Sequence, residues 1–173
     1  FEGKVTLAPR QMFDADYKVK GNIGYFRMTS AGTVFFPWIG GLNQPLWDVD
    51  LNNTVPIDLT IDTAAGEQHI DLRGLEIENL DLSVAVGQLA VTLPKDGEFS
   101  GNLSNPIGSI KISVPSGALV EFRINGAFLS RSIPAGFTIS GDRIYSPGAN
   151  SGNADMRITI DQPIGRLELI AAP

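Results

Sequence analysis

The chain has no cysteine among its 173 residues. That excludes disulfides and thiolate metal sites, and it leaves the redox compartment open. It has a single histidine, His69, so a cluster of imidazole ligands cannot form, and a Ser-His-Asp triad would have only that residue to use. Charged residues make up just 18% of the chain and the net charge is −6. Without a basic stripe to neutralise phosphates, nucleic acid is not an expected partner. The acidic balance equally disfavours electrostatic attachment to an anionic membrane. Long apolar runs are absent too. The longest, Val34-Phe35-Phe36-Pro37-Trp38-Ile39, is far too short to span a bilayer. No amphipathic helix stands out, and the nearest approach, residues 9–19, is not expected to form one. Glycine and proline are plentiful, at 19 and 11.

What is present is a repeat. Gly66, Gly87 and Gly108 stand 21 residues apart (87 − 66 = 21; 108 − 87 = 21). Each opens a segment with a two-residue period: Glu67 to Leu72, Gln88 to Leu93, and Ser109 to Val114. Even positions after the glycine are mostly aliphatic and odd ones mostly polar, the pattern of a half-buried strand. The glycine allows the backbone to bend into that strand. Gly165 leads into Arg166-Leu167-Glu168-Leu169 in the same way, but 165 − 108 = 57 is not a multiple of 21. An insertion is therefore expected, and the turn-rich stretch 141–154 is its expected place. Gly24, two periods before Gly66, marks a candidate further copy.

The segments before the glycines alternate as well. Ile57, Leu59 and Ile61 interleave with Asp58, Thr60 and Asp62, and Leu80, Leu82, Val84 and Val86 with Asp81, Ser83 and Ala85. Short strands in a repeat of this size match one coil of a β-solenoid, whose coils bury their apolar faces only by stacking. The expected class is all-β, a solenoid-like roll of ~21-residue coils, with Leu82, Val91 and Ile112 in one core. An antiparallel β-sandwich is the alternative.

Trp47-Asp48-Val49-Asp50-Leu51-Asn52-Asn53-Thr54-Val55-Pro56-Ile57-Asp58-Leu59-Thr60 resembles the entry to the bacterial toast-rack domain. Asp71-Leu72-Arg73-Gly74-Leu75, Val114-Pro115-Ser116-Gly117 and Tyr145-Ser146-Pro147-Gly148 continue the resemblance. That domain is related to the C-terminal region of LiaF-like proteins of the cell-wall-active antibiotic response, and to predicted adhesin domains. The resemblance covers roughly residues 46–170. It departs at the turn, where the usual Gly-Ala-Gly is Ala64-Ala65-Gly66, Ala85-Val86-Gly87 and Pro106-Ile107-Gly108. It implies a right-handed, single-stranded β-helix-like roll on the outer side of a bacterial membrane, with roles in envelope sensing, regulation or adhesion. Residues 46–173 are expected to form this domain, and residues 1–45 a β segment that packs on it as a cap. The chain starts at Phe1 rather than Met, as expected where a leading segment, a membrane anchor or secretion signal included, has been removed.

The expected function is thus that of a non-enzymatic extracytoplasmic domain that binds a protein or cell-envelope component. A structural or adhesive β-scaffold is the second reading, and a polysaccharide-acting β-helix enzyme the remote third. No catalytic residue, cofactor or metal ligand is assigned. His69 falls third after its glycine, level with Ala90, Lys111 and Glu168, and reads as an outward surface residue. Asp58, Asp62, Asp71 and Asp81 also fall at outward positions, spread singly, where sugar cleavage or calcium binding needs carboxylates gathered together. One candidate contact patch is aromatic: Phe35, Phe36 and Trp38, flanked by glycine, would suit a partner if exposed and would cap the coil if buried.

Overall fold

The computed structural model describes the backbone of residues 2–6, 12–20, 23–31, 46–51, 53–126 and 128–173, and side chains from residue 48 onward except 52 and 127–129. The chain divides into two compact units, Phe1–Leu51 and Asn52–Pro173. In the first, β1 (Glu2–Thr6) pairs antiparallel with β4 (Leu46–Asp50), and β2 (Met12–Lys20) pairs antiparallel with β3 (Ile23–Ala31). Gly24 sits in that hairpin opposite Val19. It is therefore no coil of the repeat, and the stretch around residues 12–19 is strand.

The second unit is a ten-stranded sheet that curls into a roll. Its building block is a strand bent at a glycine into two walls. β5 (Ile57–Asp71) bends at Gly66 and β6 (Ile77–Thr92) at Gly87. The two run parallel, with Gly66 opposite Gly87. The next coil is divided at Asn105-Pro106 into β7 (Phe99–Ser104) and β8 (Ile107–Pro115), because proline cannot donate to the ladder there. β7 pairs with the part of β6 before the bend and β8 with the part after it. Parallel pairing between successive coils settles the choice between roll and antiparallel sandwich in favour of the roll. Tight turns join coil to coil: Leu75 N donates to Leu72 O and Ala118 N to Pro115 O. The segments that carry the resemblance at 71–75 and 114–117 are these turns.

The stacking order departs from the chain order. β13 (Met156–Asp161) and β14 (Ile164–Ala172) lie directly on β7 and β8, with Gly165 opposite Gly108. β9 (Val120–Asn125) and β10 (Phe128–Ser132) lie on the far side of β13 and β14. The hairpin of β11 (Thr138–Ser140) and β12 (Arg143–Tyr145) then closes that end beside β9. The register break before Gly165 is thus not an insertion confined to 141–154. The period in fact persists into β9, since Val120 follows Phe99 by 21 (120 − 99 = 21). The last coil enters between the third and the fourth and shifts the count by the 36 residues that separate Val120 from its partner Met156.

The core runs along the inside of the stack. Leu82, Val91 and Ile112 share it with Leu89, Leu103, Ile110, Phe122, Ile158, Ile160 and Leu167, all buried. One inward column shows how the two ends differ from the middle. Gln68, Leu89, Ile110, Leu167 and Arg131 stand in register along it. In this column the three central coils supply aliphatic residues and the two terminal coils polar ones, the usual difference between the middle and the ends of a stack. Leu82→Ala in the middle would remove about 2–5 kcal/mol.

Candidate functional site

The corner where each coil bends is built from the repeated glycines. Gly66, Gly87, Gly108 and Gly165 have φ of +136°, +143°, +151° and +149°, a region that side-chain-bearing residues avoid. Close approach adds a second demand. A Cβ on Gly87, Gly108 or Gly165 would overlap the carbonyl oxygen of the glycine one coil before it, whereas on Gly66 it would meet none of the described residues within 4 Å. In place of a Cβ, each of the three presents a hydrogen to that oxygen, a weak Cα–H···O contact. Two buried amides complete the corner. Asn105 Nδ2 donates to Gly87 O at 3.1 Å and Gln162 Nε2 to Gly108 O at 2.9 Å.

Outside this corner lies an apolar ridge. Val86, Ile107 and Ile164 are 50%, 52% and 52% exposed and stand in register on three consecutive coils. Ala85, Pro106 and Pro163 flank them, also exposed. Two-residue alternation places Val86 inside with Leu80, Leu82 and Val84, and the structure corrects this. The bend at Gly87 uses four outward or corner positions, 85–88, so the inward phase passes from Val84 to Leu89. The inward residues thus lie three before and two after each glycine, an odd separation that strict alternation cannot represent. That mismatch was present in the sequence and was the signal for the ridge.

The outer walls are polar ladders. Asn79 Nδ2 donates to Asp58 Oδ1 at 2.6 Å, Asn102 Nδ2 to Asp81 Oδ1 at 3.3 Å, and Gln88 Nε2 to Glu67 Oε1 at 3.3 Å. Each pair joins residues 21 apart on neighbouring coils. Asn125 Nδ2 likewise donates to Asp161 Oδ1 at 2.7 Å on the neighbouring coil, here 36 residues away. Carboxylates are stacked on amides and hydroxyls rather than on each other, which removes the like-charge repulsion of directly facing acids. Asp58, Asp62, Asp71 and Asp81 are all exposed, as expected of outward positions. Among the described residues no group of His, Asp and Glu is placed to hold a metal ion.

His69 is outward, in register with Ala90 and, one coil on, Lys111. Its Nε2 lies 3.9 Å from Glu67 Oε2. A shallow depression on the wall beyond the bend is lined by His69, Asp71, Thr92, Lys111 and Ser113, among others. Its single carboxylate is committed to a neighbour: Arg73 grips Asp71 with an N···O distance of 2.6 Å. That hydrogen bond, first of all, lowers the Asp71 pKa below its ordinary value. The paired acid and base of glycoside cleavage are not assembled in this depression. Phe35, Phe36 and Trp38 lie outside the described residues.

The comparisons with known proteins agree with this architecture. The family described as the N-terminal domain of toast_rack, DUF2154, matches residues 1–113. The chain belongs to the toast-rack N-terminal domain family. A solved structure from Clostridium sporogenes ATCC 15579, described as a "putative cell adhesion protein", superimposes with a TM-score of 0.76 at 17% identity. The match covers 92% of this toast-rack chain and 76% of that one. At that identity the likeness shows a shared fold. Among curated proteins, none matches. No helix among the described residues is long and apolar enough to cross a membrane.

Proposed function

We propose that this toast-rack chain is a non-enzymatic contact domain of the bacterial cell envelope, displayed outside the cytoplasm, which binds a protein or envelope component in sensing, regulation or adhesion. The observation that carries the reading is the ridge of Val86, Ile107 and Ile164. Large apolar side chains exposed singly are ordinary, but three in a row on a rigid frame invite a partner. The spacing of parallel strands sets them about 4.8 Å apart. On either side the walls offer amides, hydroxyls and paired carboxylates, a polar rim around an apolar centre. The adhesion-type neighbour supports a surface role for the fold, and the family supports binding over catalysis.

The test is retention of the purified chain on bacterial envelope fractions, beside a variant with Val86→Ser, Ile107→Ser and Ile164→Ser. These side chains are exposed, so the variant should keep its melting temperature. Retention of the parent chain that falls at least tenfold in the variant is the expected result. Equal retention of both would remove the ridge from the reading, and no retention of the parent on any fraction would defeat the reading itself.

A further inference from the structure

Asn125-Gly126 is the one Asn-Gly pair in the chain. Asparagine is most open to loss of its side-chain amide when glycine follows, because the next backbone nitrogen then reaches the side-chain carbonyl carbon with no Cβ in the way. The place of this pair in the fold gives that chemistry a consequence. Asn125 is exposed and is the last residue of β9. Two hydrogen bonds tie it to the last coil. Its Nδ2 donates to Asp161 Oδ1 at 2.7 Å, and its main-chain O accepts from Gln162 N at 2.9 Å. Gln162 in turn braces the corner through Gly108 O. A single residue thus joins the outer ladder, the seam between the fourth and last coils, and the corner amide.

The other ladder asparagines are set differently. Asn79 and Asn102 also donate to aspartates, Asp58 and Asp81. They lie inside β6 and β7, however, and precede Leu80 and Leu103, both buried in the core. Asn105 precedes Pro106, whose nitrogen carries no hydrogen to give up.

We propose that Asn125 is a site of spontaneous deamidation, and that its conversion loosens the fourth coil from the last. The step needs no oxidant or reductant. Gly126 N attacks Asn125 Cγ, so an N–Cγ bond forms and the Cγ–Nδ2 bond breaks. Ammonia leaves with the proton that Gly126 N gives up. One water then opens the five-membered imide at either carbonyl, yielding aspartate or isoaspartate. Either product replaces the amide donor with a carboxylate facing Asp161, a like-charge pair directly across neighbouring strands. Isoaspartate also lengthens the main chain by one carbon and moves its carbonyl, at the point where Gln162 N is held. The disturbance therefore passes from the outer wall to the Gly108 corner.

The experiment ages the full chain at mildly alkaline pH and physiological temperature, beside an Asn125→Gln variant. Peptide mapping by mass spectrometry follows each asparagine, and amide hydrogen exchange follows the opening of each strand. The expected result is conversion of Asn125 at least tenfold faster than Asn79 or Asn102. Exchange in β9 and β13 of the aged parent should rise at least threefold, with β6 unchanged. The aged Asn125→Gln chain should stay as it began, because glutamine must close a larger ring. An Asn125→Asp chain, which carries the new charge on an unaltered backbone, should show part of the rise without ageing. Conversion of Asn125 no faster than that of Asn79 and Asn102 overturns the site. Conversion without faster exchange in β9 and β13 overturns the loosening, and so does an equal rise in the aged Asn125→Gln chain. Should the Asn125→Asp chain fail to fold, the aged parent still decides, because it folds before the change.

Discussion

The corner glycines look equivalent in the sequence, yet the structure separates them, and substitution by alanine measures the separation. Among the described residues Gly66→Ala has one cost, the strained φ of +136°, of about 1–3 kcal/mol. Gly87→Ala has that cost and a second, because the new methyl would overlap Gly66 O, with the Gly66 carbonyl carbon 3.0 Å away. A backbone carbonyl held between two ladder strands cannot give way as a flexible side chain does. The combined cost should exceed about 4 kcal/mol, the range reserved for core disruption. Gly101→Ala is the control, since it carries no such φ and its Cβ would meet the Leu80 side chain at 3.3 Å. Thermal unfolding followed by circular dichroism is the assay. For a domain of this size 1 kcal/mol shifts Tm by about 3–5 °C. The expected order is a small loss for Gly101→Ala, a loss of roughly 3–15 °C for Gly66→Ala, and more than about 15 °C, or failure to fold, for Gly87→Ala. Gly87→Val should be worse still, because β-branching adds to the strain. Equal losses at Gly66 and Gly87 would refute the close-approach argument and leave φ as the sole reason for the repeat.

Leu82→Ala should cost about 2–5 kcal/mol, measured by urea unfolding, because Leu82 is fully buried in the middle of the stack. Gln162→Leu keeps most of the volume but strips the Nε2 donor from Gly108 O and Arg166 O; a loss of about 1–3 kcal/mol is expected in the same assay. Asp71→Asn tests the lowered pKa. Because the folded value lies below the ordinary 3.8, the Arg73 pairing stabilises the fold above the unfolded pKa and is lost as pH falls through the folded one. Both partners are exposed to solvent, so the pair contributes little. The Tm gap between parent and variant should be small near neutral pH and close as the pH falls below the ordinary carboxylate value of 3.8 and on through the lowered one.

Much of the fold was legible because the repeat carries its own alignment. Stacking coils at a period of 21 puts Leu82, Val91 and Ile112 inside and His69 with the aspartates outside, and the pairing of Gly66, Gly87 and Gly108 follows the count. The cross-coil amide ladders were equally available, since Asp58 and Asn79, Glu67 and Gln88, and Asp81 and Asn102 are each one period apart. Val86 was not legible under strict alternation, because a corner consumes residues that a straight strand does not. Gly24 shows the opposite failure. Its spacing fits two periods, but pairing with Val19, five residues back in a hairpin, is a shorter closure than a coil 42 residues off. The position of the last coil was hidden for a different reason. Spacing reports which residues are alike, and not which strand wins a contested neighbour.

That contested neighbour makes the C-terminus the keystone of an arch. In an ordinary solenoid each coil leans on the one made before it, so the stack can grow in the order of synthesis and tolerates loss of its last member. Here β13 and β14, the final strands of the chain, hold β7 and β8 on one side and β9 and β10 on the other. Until they arrive, the fourth coil and its hairpin have no strand to rest on. Trimming the last 18 residues would therefore not shorten the stack by one coil. It would open it in the middle and free everything from Val120 onward.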